Sequence, residues 1–262
     1  MSEEAKKIIK KKKQKKYFII FAQLFIVITF FIGWEILAKA KVINPFIFSS
    51  PSRILKTIYE LILSGELWIH IYTTLYETIL AFIIGISCGF IIAILLYEFP
   101  TLAKIIDPFL TMINSLPKVA LGPIIIIWTG ANTNSIIVMA LLINLIVSIL
   151  NIYNGFLGVD ETKIKLLKSF GANKIQILKH LIIPESKRTI ISSLKINISM
   201  TLIGVIMGEF LVSKKGIGYL IIYGTQVFNL TLVMAGILVL IVLSFLIYEV
   251  VSFIEKKLST DR

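Results

Sequence analysis

One stretch of the sequence formally matches a catalytic nucleophile motif. Residues 85–89 read Gly-Ile-Ser-Cys-Gly, which fits the G-x-S-x-G elbow that presents a reactive serine. That elbow requires a strand-to-helix turn together with a histidine and an acid, whereas this stretch lies inside a long apolar segment. Small residues recur there at every fourth position, at Ala81, Gly85, Gly89 and Ala93. The spacing favours a helix face against which another helix packs closely.

Histidine and cysteine, the other side chains that often do chemistry, are scarce. The chain has two histidines and one cysteine, Cys88, and their spacing fits no metal-ligand pattern. We expect Cys88 to be an inert buried thiol and His180 to be a solvated loop residue. The sequence contains no G-x-x-x-x-G-K loop followed by Ser or Thr that would hold nucleotide phosphates. We therefore expect no catalytic residue, no metal site and no cofactor in this chain.

Polar side chains inside apolar segments are the remaining candidates, because a charge at the centre of a bilayer costs about 2.5–3.5 kcal/mol or more. Five such residues are candidates for a substrate path: Glu77, Asn114, Lys118, Asn197 and Glu209. Asn114 and Lys118 flank Pro117, where unwound backbone could line a pathway. Each candidate also has a structural alternative: the two acids could be hydrogen-bonded near an interface, and Lys118 could cap exposed carbonyl groups.

The composition places these residues in a membrane protein. Of 262 residues, 57% are hydrophobic and 16% are charged, whereas soluble domains are about 45–50% apolar and 25% charged. The high hydrophobicity excludes a disordered chain, and the single cysteine excludes a disulfide scaffold. A net charge of +12 could indicate a nucleic-acid partner, but together with this hydrophobicity it favours a bilayer with basic loops on one side. We expect lipid, and no nucleic acid, as a partner.

About 20 apolar residues suffice for a helix to cross a bilayer, and the chain has six such segments. We predict spans at residues 17–38, 71–97, 106–128, 135–153, 189–212 and 230–253. The first segment exceeds the apolar part of a signal peptide, so we expect it to remain as a span. The third contains Pro108, Pro117 and Pro123 and must be kinked or broken. Residues 51–63 are expected to form a short amphipathic helix near the membrane interface.

The positions of the basic residues predict the orientation of these spans. If the N-terminus is cytoplasmic, 19 of the 27 Lys and Arg residues fall on the inside and 6 on the outside, as basic loops prefer. The predicted fold class is therefore all-α, a polytopic membrane protein with six transmembrane helices and both termini in the cytoplasm. The predicted parts are a basic tail at 1–16, the first span at 17–38, an outer interfacial segment at 39–66, a core at 67–255 with five spans and a cytoplasmic loop at 157–188, and a tail at 256–262.

The cytoplasmic loop carries a helical pattern of its own. Apolar residues recur at helical spacing on both sides of Gly171, and glycine permits a tight turn there. Pro184 is expected to end the second helical stretch before the next span begins. The pattern predicts a helical hairpin that projects from the membrane. The alternative is a solvated basic loop held by phospholipid charge.

The loop resembles the signature of permease subunits of binding-protein-dependent ABC importers. The family signature begins with a Glu-Ala-Ala triplet. A glycine follows after three more residues, and an Ile-x-Leu-Pro-like stretch follows after a further nine. Here Gly171 and Leu181-Ile182-Ile183-Pro184 match, whereas Lys165-Leu166-Leu167 replaces the triplet. Over about residues 50–255, further short matches resemble the nitrate/sulfonate/taurine-type branch: Gly65-Glu66-Leu67-Trp68, Asp107-Pro108, Leu116-Pro117, Leu121-Gly122-Pro123, Gly208-Glu209 and Gly216-Ile217-Gly218-Tyr219-Leu220.

The resemblance implies a type I ABC importer permease fold in a prokaryotic cytoplasmic membrane. It implies that the loop docks on cytoplasmic ATPase subunits, which would use the ATP, through Phe170, Gly171, Ala172, Asn173, Lys174 and Pro184. It further implies a second permease copy, as a homodimer, and an extracytoplasmic solute-binding protein. We expect that protein to deliver the solute at outer loops that include residues 216–219.

The resemblance implies a small solute without identifying it. Nitrate, sulfonates and taurine-like anions fit the branch, and its members also handle pyrimidine and other vitamin precursors. Related permeases commonly carry arginine where Glu77 stands, which weakens the anionic interpretation. A stand-alone secondary transporter or channel is the alternative function, but it would need an internal repeat or a buried acid dyad, and the sequence shows neither clearly. A third possible function is that of a membrane scaffold or assembly factor.

Overall fold

The structure, a computed structural model that describes residues 3–259, is helical throughout, and this part of the chain contains no β-strand. Twelve α-helices follow one another: α1 Glu3–Lys39, α2 Pro45–Phe48, α3 Pro51–Leu63, α4 Glu66–Glu98, α5 Pro100–Ser115, α6 Gly122–Thr129, α7 Thr133–Leu157, α8 Glu161–Ser169, α9 Lys174–Ile177, α10 Ile183–Val212, α11 Ile217–Gln226 and α12 Leu230–Ser259. A 3₁₀ turn, Lys118–Leu121, precedes α6, and a π-helical turn, Leu178–Ile182, precedes α10.

Five helical segments are long and apolar enough to cross a membrane: Tyr17–Lys39, Glu66–Glu98, Thr133–Leu157, Lys174–Val212 and Leu230–Lys257. A sixth arises if α5 and residues 118–129 count as one broken span. The multi-pass, all-helical fold predicted from hydropathy is confirmed. The two ends of the bundle are distinguished below as the hairpin end, where α7 leads into α8, and the opposite end, where α7 begins. The cytoplasmic position of both termini stays a prediction.

The third predicted span is broken rather than merely kinked. The axes of α5 and of residues 118–129 differ by 88°. Leu116 leaves the helix with an extended backbone, ψ 141°, because a residue before proline is disfavoured in the helical region. Pro108 lies inside α5 without ending it. A chain that turns this sharply can enter and leave a membrane on one side as well as cross it.

Close packing of small residues holds α4, α7 and α10 together. A Cβ atom on Gly85 would lie 2.3 Å from Asn144 Nδ2, and one on Gly89 would lie 2.6 Å from Ser148 Cβ. Gly204 lies against Ala140 and Gly208 against Ile136 in the same way. The predicted small-residue face of α4 is therefore confirmed. Cys88 is on the other face and exposed, so the prediction of a buried thiol was wrong.

The first helix stays apart from this core. None of the residues in the apolar window of Tyr17–Lys39 is buried, and α1 is tied to the rest of the chain at its end, where Glu35 accepts hydrogen bonds from the Ser52 N–H and hydroxyl at 3.0 and 2.8 Å. Ser50 caps α3, and this helix has the bounds 51–63 that the amphipathic pattern predicted. The apolar side chains of α1 are thus left free for lipid or another chain to cover.

Candidate functional site

The predicted helical hairpin is present between α7 and α10. Asp160 caps α8 by accepting the Thr162 N–H at 2.7 Å, and this hydrogen bond lowers the pKa of the Asp160 carboxyl below its usual range. After α8 the chain reverses at Gly171, whose φ of +81° suits glycine. Asn173 then caps α9 through reciprocal hydrogen bonds of 2.8 Å with Gln176.

The second arm of the hairpin is continuous with the following span, which corrects the prediction for Pro184. The helix runs from Lys174 to Val212 without a break. Proline has no N–H to donate, and the chain accommodates it by a π-helical turn just before it, in which the Ile183 N–H bonds to the Leu178 carbonyl. Pro184 therefore lies in the first turn of α10, at the base of the hairpin.

The hairpin is packed against the bundle rather than floating in solvent. Ile177 and Ile182 are buried with Ile152 and Phe156 of α7. At its base, Lys163 forms an ion pair with Glu185 at 2.7 Å. The Ser186 hydroxyl donates to the Gly155 carbonyl at 2.8 Å. These contacts fix the hairpin to both α7 and α10.

The tip of the hairpin exposes apolar side chains that no part of the described chain covers. Phe170 is 77% exposed, Ile175 72% and Leu166 56%. Gly171, Asn173 and Lys174 are exposed beside them, and a Cβ on Gly171 would meet nothing within 4 Å. Ala172 is half-buried and packs against the apolar cluster under the hairpin. Five of the six predicted coupling residues thus form the turn, and Pro184 is at the base.

At the opposite end, residues 216–218 form a buried turn at the start of α11, within the segment 216–219 that was predicted to belong to an outer loop. Its three consecutive N–H groups are held by side chains of other helices. Gly216 donates to His70 Nδ1 at 3.0 Å, Ile217 to Thr74 Oγ1 at 2.9 Å, and Gly218 to Glu209 Oε2 at 2.5 Å. The start of α11 is thereby anchored to α4 and α10.

Glu77 and Glu209, both path candidates, meet beside this turn. Both side chains are fully buried, and their carboxyl groups are neighbours. Glu209 is engaged at both oxygens, since Thr74 Oγ1 donates to Oε1 at 2.6 Å and Gly218 to Oε2. Glu77 Oε2 and Thr78 Oγ1 have no hydrogen-bond partner. The sequence analysis missed this acid pair; the signal was that two acids occur in otherwise apolar spans.

The other path candidates lie elsewhere. Lys118 Nζ donates to Asn114 Oδ1 at 3.1 Å across the break at Pro117, and both side chains are partly or fully exposed. Asn197 is fully buried in α10, and neither its amide nitrogen nor its amide oxygen has a partner. Lys195, two residues earlier, forms an ion pair with Glu255 of α12. The structure therefore brings two candidate pairs together and leaves Asn197 apart.

No group of three or more His, Cys, Asp or Glu side chains in the described residues could hold a metal ion. The polar groups at both ends can bind, donate and accept hydrogen bonds. The arrangement is that of a helical bundle with an exposed apolar tip at one end and a cluster of polar and acidic side chains, some without a hydrogen-bond partner, at the other.

Comparison with known proteins identifies what this arrangement resembles. The family model described as "Binding-protein-dependent transport system inner membrane component" matches residues 81–260. A putative aliphatic sulfonates transport permease protein of Bacillus subtilis is 28% identical over 225 residues, which are 86% of this chain and 82% of that protein. The taurine transport system permease protein of Escherichia coli is 22% identical over 231 residues, 86% of this chain and 84% of that one.

A solved structure shares the fold. A chain of a bacterial ABC transporter involved in the import of the acidic polysaccharide alginate superposes with a TM-score of 0.66 at 14% identity. The superposition covers 94% of this chain and 98% of that chain. At this identity the likeness concerns the fold alone, and it includes nearly all of the helices described above.

Proposed function

The chain belongs to the family of binding-protein-dependent transport system inner membrane components, and from this premise we propose that it is the permease subunit of an ABC importer. It spans the membrane several times and forms the translocation path for a small solute. The chain itself carries no phosphate-binding loop. A separate ATPase subunit therefore supplies the hydrolysis that drives import.

The observation that carries this proposal is the exposed apolar tip of the hairpin. Phe170 and Ile175 lie at the turn of the hairpin that follows α7, with Lys168 and Lys174 beside them, so a protein partner is a better cover for them than lipid. Large apolar side chains held on a rigid support and flanked by Lys168 and Lys174 have the character of an interface core with a polar rim. We assign this surface to the ATPase subunit.

The continuous helix supports a mechanical link between the proposed docking surface and the opposite end of the bundle. Residues Lys174–Val212 form 39 residues of helix, about 58 Å long at 1.5 Å per residue. One end carries the docking tip, and the other carries Glu209 and its bonds to α4 and α11. A displacement of the tip by the ATPase therefore moves the cluster at the opposite end, which is what alternating access requires.

The acid pair does not favour the alternative of an ion-coupled transporter. Such a transporter needs an acid that is free to exchange its ion or proton with the pathway. Glu209 instead holds a main-chain N–H and a threonine hydroxyl, so one member of the pair has a structural role. Together with the family, this supports the ATP-driven importer.

The remaining partners follow from the family and are part of the proposal. An extracytoplasmic binding protein delivers the solute at the opposite end, and a second copy of this chain completes the path. The solute is a small sulfonate, a taurine-like or nitrate-like compound, or a pyrimidine or other vitamin precursor. Ligand binding by the purified binding protein would identify it.

The docking surface is tested by a pair of substitutions at one position. Phe170→Asp places a charge in the interface core and is expected to weaken co-purification of the ATPase by about 30-fold or more, the cost of losing a hot-spot side chain. Phe170→Leu keeps an apolar side chain and should retain the complex. Because Phe170 is largely exposed, neither change should lower the stability of the isolated permease. An intact complex with Phe170→Asp would refute the assignment.

A further inference from the structure

An apolar groove lies between α1 and α12, with a volume of about 510 Å³. One wall is a face of α1 that includes Phe30, Gly33, Trp34 and Leu37, and Met234 of α12 lies opposite. These α1 residues belong to the membrane-spanning part of that helix. Whatever fills the groove is therefore reached from the bilayer and not from water.

Contacts at one end of the groove fix its walls. Ser49, which is fully buried after α2, donates its hydroxyl to Thr231 Oγ1 of α12 at 3.0 Å, and Glu35 of α1 accepts two hydrogen bonds from Ser52. From there the groove follows α1 over residues 37 to 29, which is about 12 Å at 1.5 Å per residue. The groove is therefore a defined feature of the fold at the end opposite the hairpin, and its size limits what fills it.

The size of the groove fits a lipid chain better than a helix. A helix about 12 Å long and 10 Å wide occupies about 900 Å³, which is well above the volume of the groove. A single acyl chain is narrow and flexible, so it can follow the uneven lining. A Cβ atom on Gly33 would meet nothing within 4 Å, and the middle of the groove is thus free to receive such a chain.

The end of the groove at the membrane interface carries positive charge. Arg53 Nη1 donates to the Pro45 carbonyl at 3.0 Å, and Pro45 begins the short helix whose last residue, Phe48, lines the groove. Lys41 lies just before Ile43, another lining residue. Both basic side chains are exposed. The apolar groove therefore ends beside two cations.

Acidic side chains of the protein do not neutralise these two cations. The neighbouring Lys39 is paired with Glu35 at 3.2 Å, whereas neither Lys41 nor Arg53 forms an ion pair among the described residues. Lys41 also has a φ of +55° just after α1, a conformation that glycine usually adopts at helix ends. A lysine at this position points to a purpose of its charge beyond local folding.

We propose that the groove binds an anionic glycerophospholipid, with one acyl chain along α1 and its phosphate at Lys41 and Arg53. Basic side chains beside an apolar groove combine the two features that select an anionic lipid headgroup, and the other N–H groups of Arg53 are available to phosphate oxygens. The lipid completes the contact between α1 and the bundle that the polypeptide leaves open. This site goes beyond the proposed function, since it depends on neither the solute nor the ATPase.

The test uses the purified full-length chain in nanodiscs and observes the groove through Trp34. The chain has three tryptophans, and Trp68→Phe with Trp128→Phe changes two exposed ones and leaves Trp34 alone. The nanodiscs mix phosphatidylglycerol and phosphatidylcholine with the same acyl chains, and one of the two carries bromine, which quenches tryptophan fluorescence on contact. Exchanging the brominated partner gives the relative affinity of the two headgroups. Phosphatidylglycerol should bind at least about fivefold more tightly, since one basic residue at a membrane surface contributes about that factor.

Variants separate the role of the charges from that of the groove. Lys41→Gly with Arg53→Gln should abolish the preference for phosphatidylglycerol, and glycine at position 41 also relaxes the backbone. Lys56→Gln, a matched change of an exposed lysine on α3, should leave the preference unchanged. Gly33→Leu places a side chain in the groove and should largely remove the quenching of Trp34 by both lipids.

Equal quenching by the two lipids in the single-tryptophan chain would overturn the proposal, as would a preference that survives in the folded double variant. If the double variant is not monodisperse, Lys41→Gly alone and a salt series decide, because the preference should fall as salt is raised to about 1 M, where the Debye length is about 3 Å. A Trp34 that neither lipid quenches would show that another protein chain covers the groove, which also refutes the lipid site.

Discussion

At the scale of single residues, the turn at 216–218 shows how side chains of other helices stabilise a short stretch of exposed backbone N–H groups. Three successive N–H groups at the start of α11 would be unsatisfied in an apolar environment, where each lost hydrogen bond is costly. His70, Thr74 and Glu209 accept all three. Two acids are unexpected in apolar helices, and they occur here for different reasons. Glu209 accepts a hydrogen bond from the Gly218 N–H, and Glu77 lines a cavity.

Gly216 is the residue on which this turn depends most. Its φ of +108° and ψ of 163° belong to a region occupied essentially only by glycine, and an added Cβ would lie 2.3 Å from Glu209 Cδ. Gly216→Ala should lower the free energy of unfolding by about 2–4 kcal/mol, from backbone strain and overpacking. The midpoint of thermal unfolding in detergent measures this loss.

Gly33→Ala is the control for that change. A Cβ on Gly33 would meet nothing within 4 Å, and Gly33 lies inside α1, where alanine is the better helix former by about 1 kcal/mol. Its unfolding midpoint should be unchanged or higher. If Gly216→Ala unfolds at the same temperature as Gly33→Ala, the described turn is not what holds α11.

At the scale of elements, the π-helical turn at Leu178–Ile182 sets how the hairpin is oriented on its span. A π turn amounts to one extra residue in an α-helix, and each residue rotates the chain by about 100°. The tip of the hairpin therefore points in its observed direction because of this insertion. The π-helical turn lies just before Pro184 because proline has no N–H, so the regular α-helical hydrogen bond is missing at this point.

Deletion of His180 should restore a regular helix and turn the hairpin by about 100° relative to α10. We expect the permease to insert, because the contacts of α10 with α7 that follow the deletion are kept, although Ile177 would lose its packing against Ile152 and Phe156. ATP-driven uptake by the reconstituted importer should be largely lost, because the tip no longer transmits its displacement along the same direction. His180→Ala, which keeps the residue count, should retain uptake. Normal uptake after the deletion would show that the π turn has no part in coupling.

Hydropathy and helix signals predicted most elements well. They failed where contacts with other helices determine the backbone conformation. The helix at 51–63 was predicted with its bounds because Pro51 and Ser50 mark its start locally. The end of the hairpin at Pro184 was wrong, and the burial of residues 216–218 was not foreseen, since local patterns suggest a break or a loop at proline and glycine. In the structure, a π turn and the side chains of other helices satisfy the backbone at these sites.

At the scale of the whole molecule, the asymmetry of charge predicts the orientation in the membrane. The hairpin and the opposite end differ in the number of basic residues, and both termini are predicted to be cytoplasmic. Single cysteines introduced at Lys174 and Lys214, in a Cys88→Ser background, test this with a membrane-impermeant maleimide on intact cells. Lys214→Cys should be labelled from outside, and Lys174→Cys only after the membrane is opened.

The background change is needed because Cys88 is exposed on α4, where a labelling reagent could reach it once the membrane is opened. Both introduced positions are exposed in the fold, so a difference in labelling reports sidedness and not burial. The reverse pattern would invert the topology and, with it, the assignment of the hairpin to a cytoplasmic ATPase.

By itself the sequence determined that this chain is a multi-pass helical membrane protein with a helical hairpin after its fourth apolar segment. These features can be read from the sequence because the length of an apolar segment, the distribution of basic residues and the helical period are local, and the bilayer constrains the first two. Only the tertiary structure decided that Glu77 and Glu209 are neighbours, that residues 216–218 are buried, and that the hairpin is continuous with α10. These features depend on which helices meet, and Gly85 and Gly204 permit that approach through contacts with residues more than 50 positions away.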